Sequence, residues 1–358
     1  ASNNTAVGKG ALEANTTGSQ NIAIGTGALD ANTTQGNHVA IGVSALTTNT
    51  TGQLNTAIGY SALELNSDGD NNVAVGYKAL EANTTADNNT AVGYSALLAN
   101  TTGQYNIAVG SGALDANTTA SYNTGVGYGA LGANTTGASN TAVGYLAMVT
   151  NTTGATNTAL GDGALYSNTT ASNNTAVGRS ALLVNTTGTM NVSVGANSLD
   201  ANTTGNYNTG IGKSSLGANT TASNNTAVGF SALAANTTGT ENVAIGSYSL
   251  DASGAGTDGS YNVAIGNDAL GANTEGQFNV AVGRRALYVN TTADNNTAVG
   301  YNAGAANTDG HSNTFIGAEA GDSITTGDEN VVIGHGALDG GTTVNGNTAV
   351  GTDTMASA

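Results

Sequence analysis

Residues 89–105 read Asn-Thr-Ala-Val-Gly-Tyr-Ser-Ala-Leu-Leu-Ala-Asn-Thr-Thr-Gly-Gln-Tyr, and most of that string recurs seventeen residues earlier and seventeen later. Aligned on its opening residue, nearly always asparagine, the copies begin at Asn4, Asn21, His38, Asn55 and Asn72 and continue in steps of 17 to Asn242. An insertion near 253–259 lengthens the next step to 20, reaching Asn262, and the 17-residue step then resumes through Asn347. That makes 21 copies, the last truncated. With slots numbered from the asparagine, the consensus is Asn-Thr-Ala-Val-Gly-Tyr-Ser-Ala-Leu-x-Ala-Asn-Thr-Thr-Gly-x-x. A fixed period of this length is the signature of a solenoid. Asp30, Asp115 and Asp200 occupy slot 10 at intervals of 85 residues, which reads as duplication of a five-copy block.

A 17-residue unit is too short for a helical hairpin, and glycine and asparagine at fixed places break helices. Slots 1 to 5 alternate instead: slots 2 and 4 carry Thr, Val, Ile or Leu, slot 3 is mostly small, and slot 5 is glycine from Gly8 to Gly351. This pattern predicts a short β-strand closed by a turn. A second extended piece is expected at slots 11 to 14, turning at slot 15. The fold class is therefore all-β, a parallel β-solenoid or β-roll whose equal coils stack in register at about 4.8 Å each, so that 21 of them would extend about 100 Å. Two regions are distinguished, a regular array over 1–299 and divergent coils over 300–358. In the latter, slot 9 becomes Gly304 and Gly321 and Ile324 replaces the slot 12 asparagine, as in a transition toward a cap or a following domain.

In-register stacking lines up identical side chains. The slot 12 asparagines (Asn15, Asn32, Asn49, Asn83, Asn100) are expected to form an amide ladder, and the slot 14 threonines (Thr17, Thr34, Thr51) a second one. Small residues of slots 3, 5, 8 and 11 would fill a narrow interior. Val7, Ile24 and Ile41 of slot 4, with Leu12, Leu29 and Leu46 of slot 9, then serve as core or interface. An aliphatic stripe repeated this often needs cover, and sister chains in a parallel trimer would supply it.

Composition narrows the function. The chain has no Cys, which removes disulfides, thiolate metal sites and a cysteine nucleophile. Its formal charge of −17 disfavours nucleic acid and anionic lipid as partners. No apolar run approaches the roughly 18 residues that span a bilayer, so no membrane insertion is expected. No leader pattern opens the chain and its first residue falls inside the repeat, as in a mature product or a piece of something longer.

Asn-Thr-Ala-Val-Gly-Tyr-Ser-Ala-Leu at 89–97, followed by Asn-Thr-Thr-Gly at 100–103, resembles the repeats of phage tail fibres that end in an endosialidase-type self-cleaving chaperone. It is also similar to the Ala-Ile-Gly repeat in the head of trimeric autotransporter adhesins. Asn313-Thr-Phe-Ile-Gly317 with Ala320 and Gly321 resembles a variant unit of the same tail-fibre arrays. The unit here is longer than the adhesin head's, and no chaperone, stalk or membrane barrel is present. The resemblance covers essentially the whole chain and implies a left-handed roll, a trimer and an extracellular, cell-surface or virion-surface location.

Sites for chemistry are sparse. His38, His311 and His335 are the only histidines and read as surface substitutions. Asp68, Asp70 and, in the insertion, Asp258 are calcium candidates because carboxylates and loop carbonyls suit that ion, although acids at turns are ordinarily solvated. Tyr60, Tyr77, Tyr94, Tyr128 and Tyr145 share slot 6 and face solvent, where they could stack on sugar rings. Asn15, Asn32, Asn49, Asn83 and Asn100 each open an Asn-Thr-Thr that fits the glycosylation acceptor pattern, with the ladder as the competing explanation.

The expectation is a non-enzymatic extracellular fibre or shaft, without cofactor, whose partner is itself. Rival readings are an adhesin that binds glycans or a host surface along its length, a subunit of a self-assembling filament, and, least favoured, an ice-binding solenoid.

Overall fold

The computed structural model describes residues 1–252 and 259–356. It contains two compact units, Ala1–Asn174 and Thr175–Ala358. The described residues form no helix and twenty-one strands of three residues each, from β1 (Thr5–Val7) to β21 (Thr348–Val350). The first unit holds β1 to β10 (Thr158–Leu160), and the second holds β11 (Thr175–Val177) to β21. Within each unit every strand pairs in parallel with the next, one repeat on, with Ala6 opposite Ala23 and Ala23 opposite Ala40. Both units are thus parallel β-solenoids. The divergent coils from 300 onward keep the same register, Phe315 lying opposite Val332.

Each coil has one strand, at slots 2 to 4. Slots 11 to 14, expected as a second strand, form none: slot 11 ends the preceding turn and slots 13 and 14 are a bend. The chain rounds its remaining corners with left-handed backbone at slots 7, 9 and 17, seen at Ser44 (φ 57°), Leu46 (φ 53°) and Leu54 (φ 57°). Left-handed φ costs an L-residue about 1–2 kcal/mol, so the surroundings must impose it. At slot 9 they do so twice. The Leu29 N–H donates to the Ala45 carbonyl of the next coil at 3.0 Å, and the leucine side chain is fully buried.

The leucines therefore fill the interior. Leu29 and Leu46 lie in the core with the alanines of slots 3 and 8, such as Ala23 and Ala28, whereas Leu12 at the first coil is half-buried. Two interior slots assigned from sequence move outward: slot 11 alanines such as Ala31 and slot 5 glycines such as Gly25 are only half-buried. Slot 15 replaces them, as Gly52 and Ala86 show. The slot 5 glycine is set by close approach and backbone sign together. Gly8 has φ +130°, and a β-carbon there would lie 2.6 Å from the Gly25 carbonyl oxygen.

Two asparagine columns and one threonine column run inside this frame. At slot 12, Asn66 Nδ2 donates to Asn49 Oδ1 of the preceding coil (2.9 Å) and to the slot 15 carbonyl of Gly69 (3.0 Å). At slot 1, Asn72 Nδ2 donates to the slot 15 carbonyl of Ala86 (2.8 Å), while Asn55 Oδ1 accepts the Asn72 N–H (2.9 Å). Both amides thus clamp the slot 15 corner from within, and in Asn66 and Asn72 the amide oxygen and nitrogen are both engaged. The threonine ladder belongs to slot 13 and not to slot 14. Thr101 Oγ1 donates to the Thr118 carbonyl at 3.1 Å, whereas Thr17, Thr34 and Thr51 are exposed.

Candidate functional site: an interrupted tyrosine column and its groove

Slot 6 directly follows the slot 5 glycine, and its side chains leave the coil on the solvent side. Stacking then sets like upon like. Tyr60 and Tyr77 have ring centroids 5.4 Å apart, Tyr77 and Tyr94 5.1 Å, and Tyr128 and Tyr145 5.6 Å, all with nearly parallel planes. Lys78 Nζ lies 5.9 Å from the Tyr77 ring centre and 3.0 Å from Glu81. A separate pair, Tyr105 and Tyr122 of slot 17, stacks at 5.3 Å. The five slot 6 tyrosines of the first unit are well exposed, Tyr94 by 60% and Tyr128 by 58%, but their faces are largely spent on one another.

The column breaks once, at Ser111, between Tyr94 and Tyr128. A groove of about 630 Å³ opens there, lined by both tyrosines. Gly112 and Gly129 in slot 7 and Gly132 in slot 10 make the room. A β-carbon on Gly129 would stand 2.9 Å from Leu146 Cδ2, and one on Gly132 would stand 3.4 Å from Asp115 Oδ1. Leu98, Ala116, Leu146 and Val149 give the lining its apolar part. Asp115 is its one carboxylate, and burial pushes that group above the usual carboxylate range against the pull of the Asp115 and Ala116 N–H groups. Its repeat-mate Asp200 is engaged differently, accepting Asn197 Nδ2 at 3.2 Å. The sequence signal for this groove was the coincidence of a serine in the tyrosine slot with three glycines in slots 7 and 10 nearby.

The calcium candidates do not converge on a shared point. The Asp68 carboxylate accepts the Thr51 and Ser67 hydroxyls, which hold it below its ordinary range. Asp70 Oδ1 accepts the Gln53 N–H at 2.7 Å, one rung of a slot 16 ladder that continues with Asp70 N–H to Asp87. In the second unit His311 holds the same slot, its Nδ1 accepting the Asp294 N–H at 2.9 Å. Asp258 lies outside the described residues. Among the described residues no three metal-ligating side chains gather.

Two other sequence readings are corrected by burial. The amides of Asn32, Asn49, Asn83 and Asn100 are fully enclosed and their Nδ2 atoms donate within the coil, so a glycan on that nitrogen is incompatible with this packing; Asn15, at the first coil, is half-buried. His38 is a core residue with no exposed surface, not a surface substitution. Burial lowers its pKa, and the ring stands in for a slot 1 asparagine. Its Nδ1 accepts the Asn55 N–H, and the ring hydrogen-bonds the Gly52 carbonyl of slot 15. The third histidine, His335, is exposed and lies 3.7 Å from both Glu319 and Asp353.

No protein-family model matches the sequence, and no curated protein matches it.

Proposed function

We propose that the chain is a non-enzymatic structural shaft of an extracellular fibre, assembled from parallel copies of itself, three around one axis. One observation carries the reading: within each unit the outward face of the strands carries an unbroken row of slot 4 aliphatic side chains, beside slot 2 positions that are threonine in 12 of the 21 copies and Val or Ile in the others. Slot 4 is Val, Ile or Leu in all 21 copies, and these side chains point away from the core while the slot 9 leucines are sealed inside it. Ile107 and Val109, the two outward residues of one strand, are 43% and 37% exposed. Water on a strip repeated at every coil is costly, and a patch of that kind marks an association surface.

The occupant that fits is a second copy of the chain. Slots 2 and 4 contain no charged residue in any coil, so sister strips meet no like charge although each chain carries −17. A copy also has the same coil rise, which matches side chain to side chain along the contact. Three strips turned to a common axis bury one another in a closed arrangement without leaving an open edge. The resemblance to tail-fibre repeats and trimeric adhesin heads supports the same reading.

Sedimentation equilibrium on the purified chain tests it. Three chains per particle are expected, with Val109→Lys and Val126→Lys together releasing monomers. A wild-type chain that stays monomeric, with its valines in water, overturns the proposal. Serial removal of coils separates a spacer from a lateral binder, because a spacer loses reach while a lateral binder loses avidity with coil number.

A further inference from the structure

We propose that the groove between Tyr94 and Tyr128 is a binding site for one uncharged pyranose ring of a glycan. The spacing of the column leaves room for one ring. Successive tyrosines of this column stack at 5.1–5.6 Å. Tyr94 and Tyr128 are two coils apart, about 10 Å at the ordinary inter-strand rise, with Ser111 between them. The missing rung is therefore one ring thick. Tyr77 covers one face of Tyr94, and Tyr145 covers one face of Tyr128. Each leaves its other face toward the gap, and the stacked neighbours hold both rings in place before a ligand arrives, which lowers the ordering cost of binding.

The chemistry of the lining suits a sugar. A pyranose presents flat C–H faces to aromatic rings and hydroxyls around its edge. Here the two ring faces, the aliphatic side chains of Leu146 and Val149, the Ser111 hydroxyl and the Asp115 carboxylate meet in one groove. Asp115 takes no side-chain donor of its own and can accept from sugar hydroxyls. A phenol offers that carboxylate a single O–H where a pyranose offers several, and an acidic sugar is repelled by it and by the chain's net charge of −17. The glycines at 112, 129 and 132 keep the entrance open where other coils carry Ser95, Leu146 or Val149. The site lies within one chain and stands whether or not the aliphatic strip assembles copies.

Saturation-transfer NMR on the full chain tests this, with the methyl pyranosides of glucose, galactose, mannose and N-acetylglucosamine, methyl glucuronide, and para-cresol as an aromatic probe. Transfer to the ring protons of at least one neutral pyranoside is expected. It should fall at least tenfold in Ser111→Tyr, which fills the gap with the residue five other coils of the column already carry. Asp115→Leu, a residue that slot 10 accepts at Leu98, should also weaken it tenfold. Circular dichroism of both variants should match the wild type. The proposal is overturned if no neutral pyranoside responds, if only the glucuronide or para-cresol does, or if Ser111→Tyr leaves the response intact in a folded chain.

Discussion

The Nδ1 atom of His38 accepts the backbone N–H of Asn55 at 3.3 Å, in the position where the neighbouring coils use an asparagine Oδ1. Only a neutral ring can do this, because a protonated imidazole has no free lone pair. The substitution also disturbs the adjacent column: Asn49 Nδ2 lies 3.4 Å from His38 Nε2, and Asn32 Oδ1 is left without a partner. Since burial lowers the folded pKa, the unfolded chain takes up the proton first as pH falls. Stability of the first unit should be fully present above about pH 6.5 and should decline below it, toward the depressed folded value. His38→Asn should flatten that decline and add about 1 kcal/mol at neutral pH. Thermal melts of residues 1–174 within the whole chain, followed by hydrogen exchange across pH 5–8, check both.

The second unit should respond in the opposite sense. Asp322 and Asp339 occupy slot 10 one coil apart, and their carboxyls interact. Burial and the neighbouring Asp339 carboxylate push Asp322 up to about 7, while the same hydrogen bond holds Asp339 below its usual range. A carboxyl that binds its proton more tightly folded than unfolded stabilises the fold as pH drops from about 7 toward 4. Asp322→Asn should abolish that gain. Local exchange protection around 317–340, measured at pH 5 and pH 8, should show the wild type better protected at the lower value and the variant indifferent.

Phe315 occupies slot 3, where most coils carry alanine, and is fully buried. Its ring takes the volume of two absent leucines. β-carbons placed on Gly304 or Gly321 would collide with opposite edges of the ring. Phe315→Ala alone should cost about 3–5 kcal/mol through the cavity it leaves. Adding Gly304→Leu and Gly321→Leu should recover most of that, because their φ values of 59° and 60° already match the leucine corners elsewhere. Urea midpoints of the single and triple variants decide, and a triple variant no better than the single one refutes the exchange.

The period, the strand at slots 2 to 4 and the slot 12 amide ladder were legible because each is a repeated residue type with one geometric use. The other side of the coil was not. Its corners are carried by leucine, serine and asparagine in left-handed backbone, and nothing in the propensity of Leu29 or Leu46 marks them for it; only the bond to the next coil and the buried side chain impose the conformation. That same geometry turned slot 9 inward and left slots 2 and 4 on the outer strip. His38 was illegible for a related reason. A single histidine among asparagines looks like a tolerated surface change until the two hydrogen bonds of the slot are known. The groove at Ser111 was missed because it is an absence in a column, visible only once the tyrosines on either side are known to stack.

Apart from Asn49, which turns to His38, the slot 12 amides of the first unit donate backward, as Asn83 does to Asn66, Asn100 to Asn83 and Asn117 to Asn100, so the column has a sense like that of an arrow. Its carbonyl tips point toward later coils, and a coil laid on in reverse would set tip against tip. The amide column therefore distinguishes the two directions along the axis, each amide taking its orientation from the one beneath. Ile324 is where the arrow ends: it offers no hydrogen to Asn307 Oδ1, which stands unanswered at the head of the line.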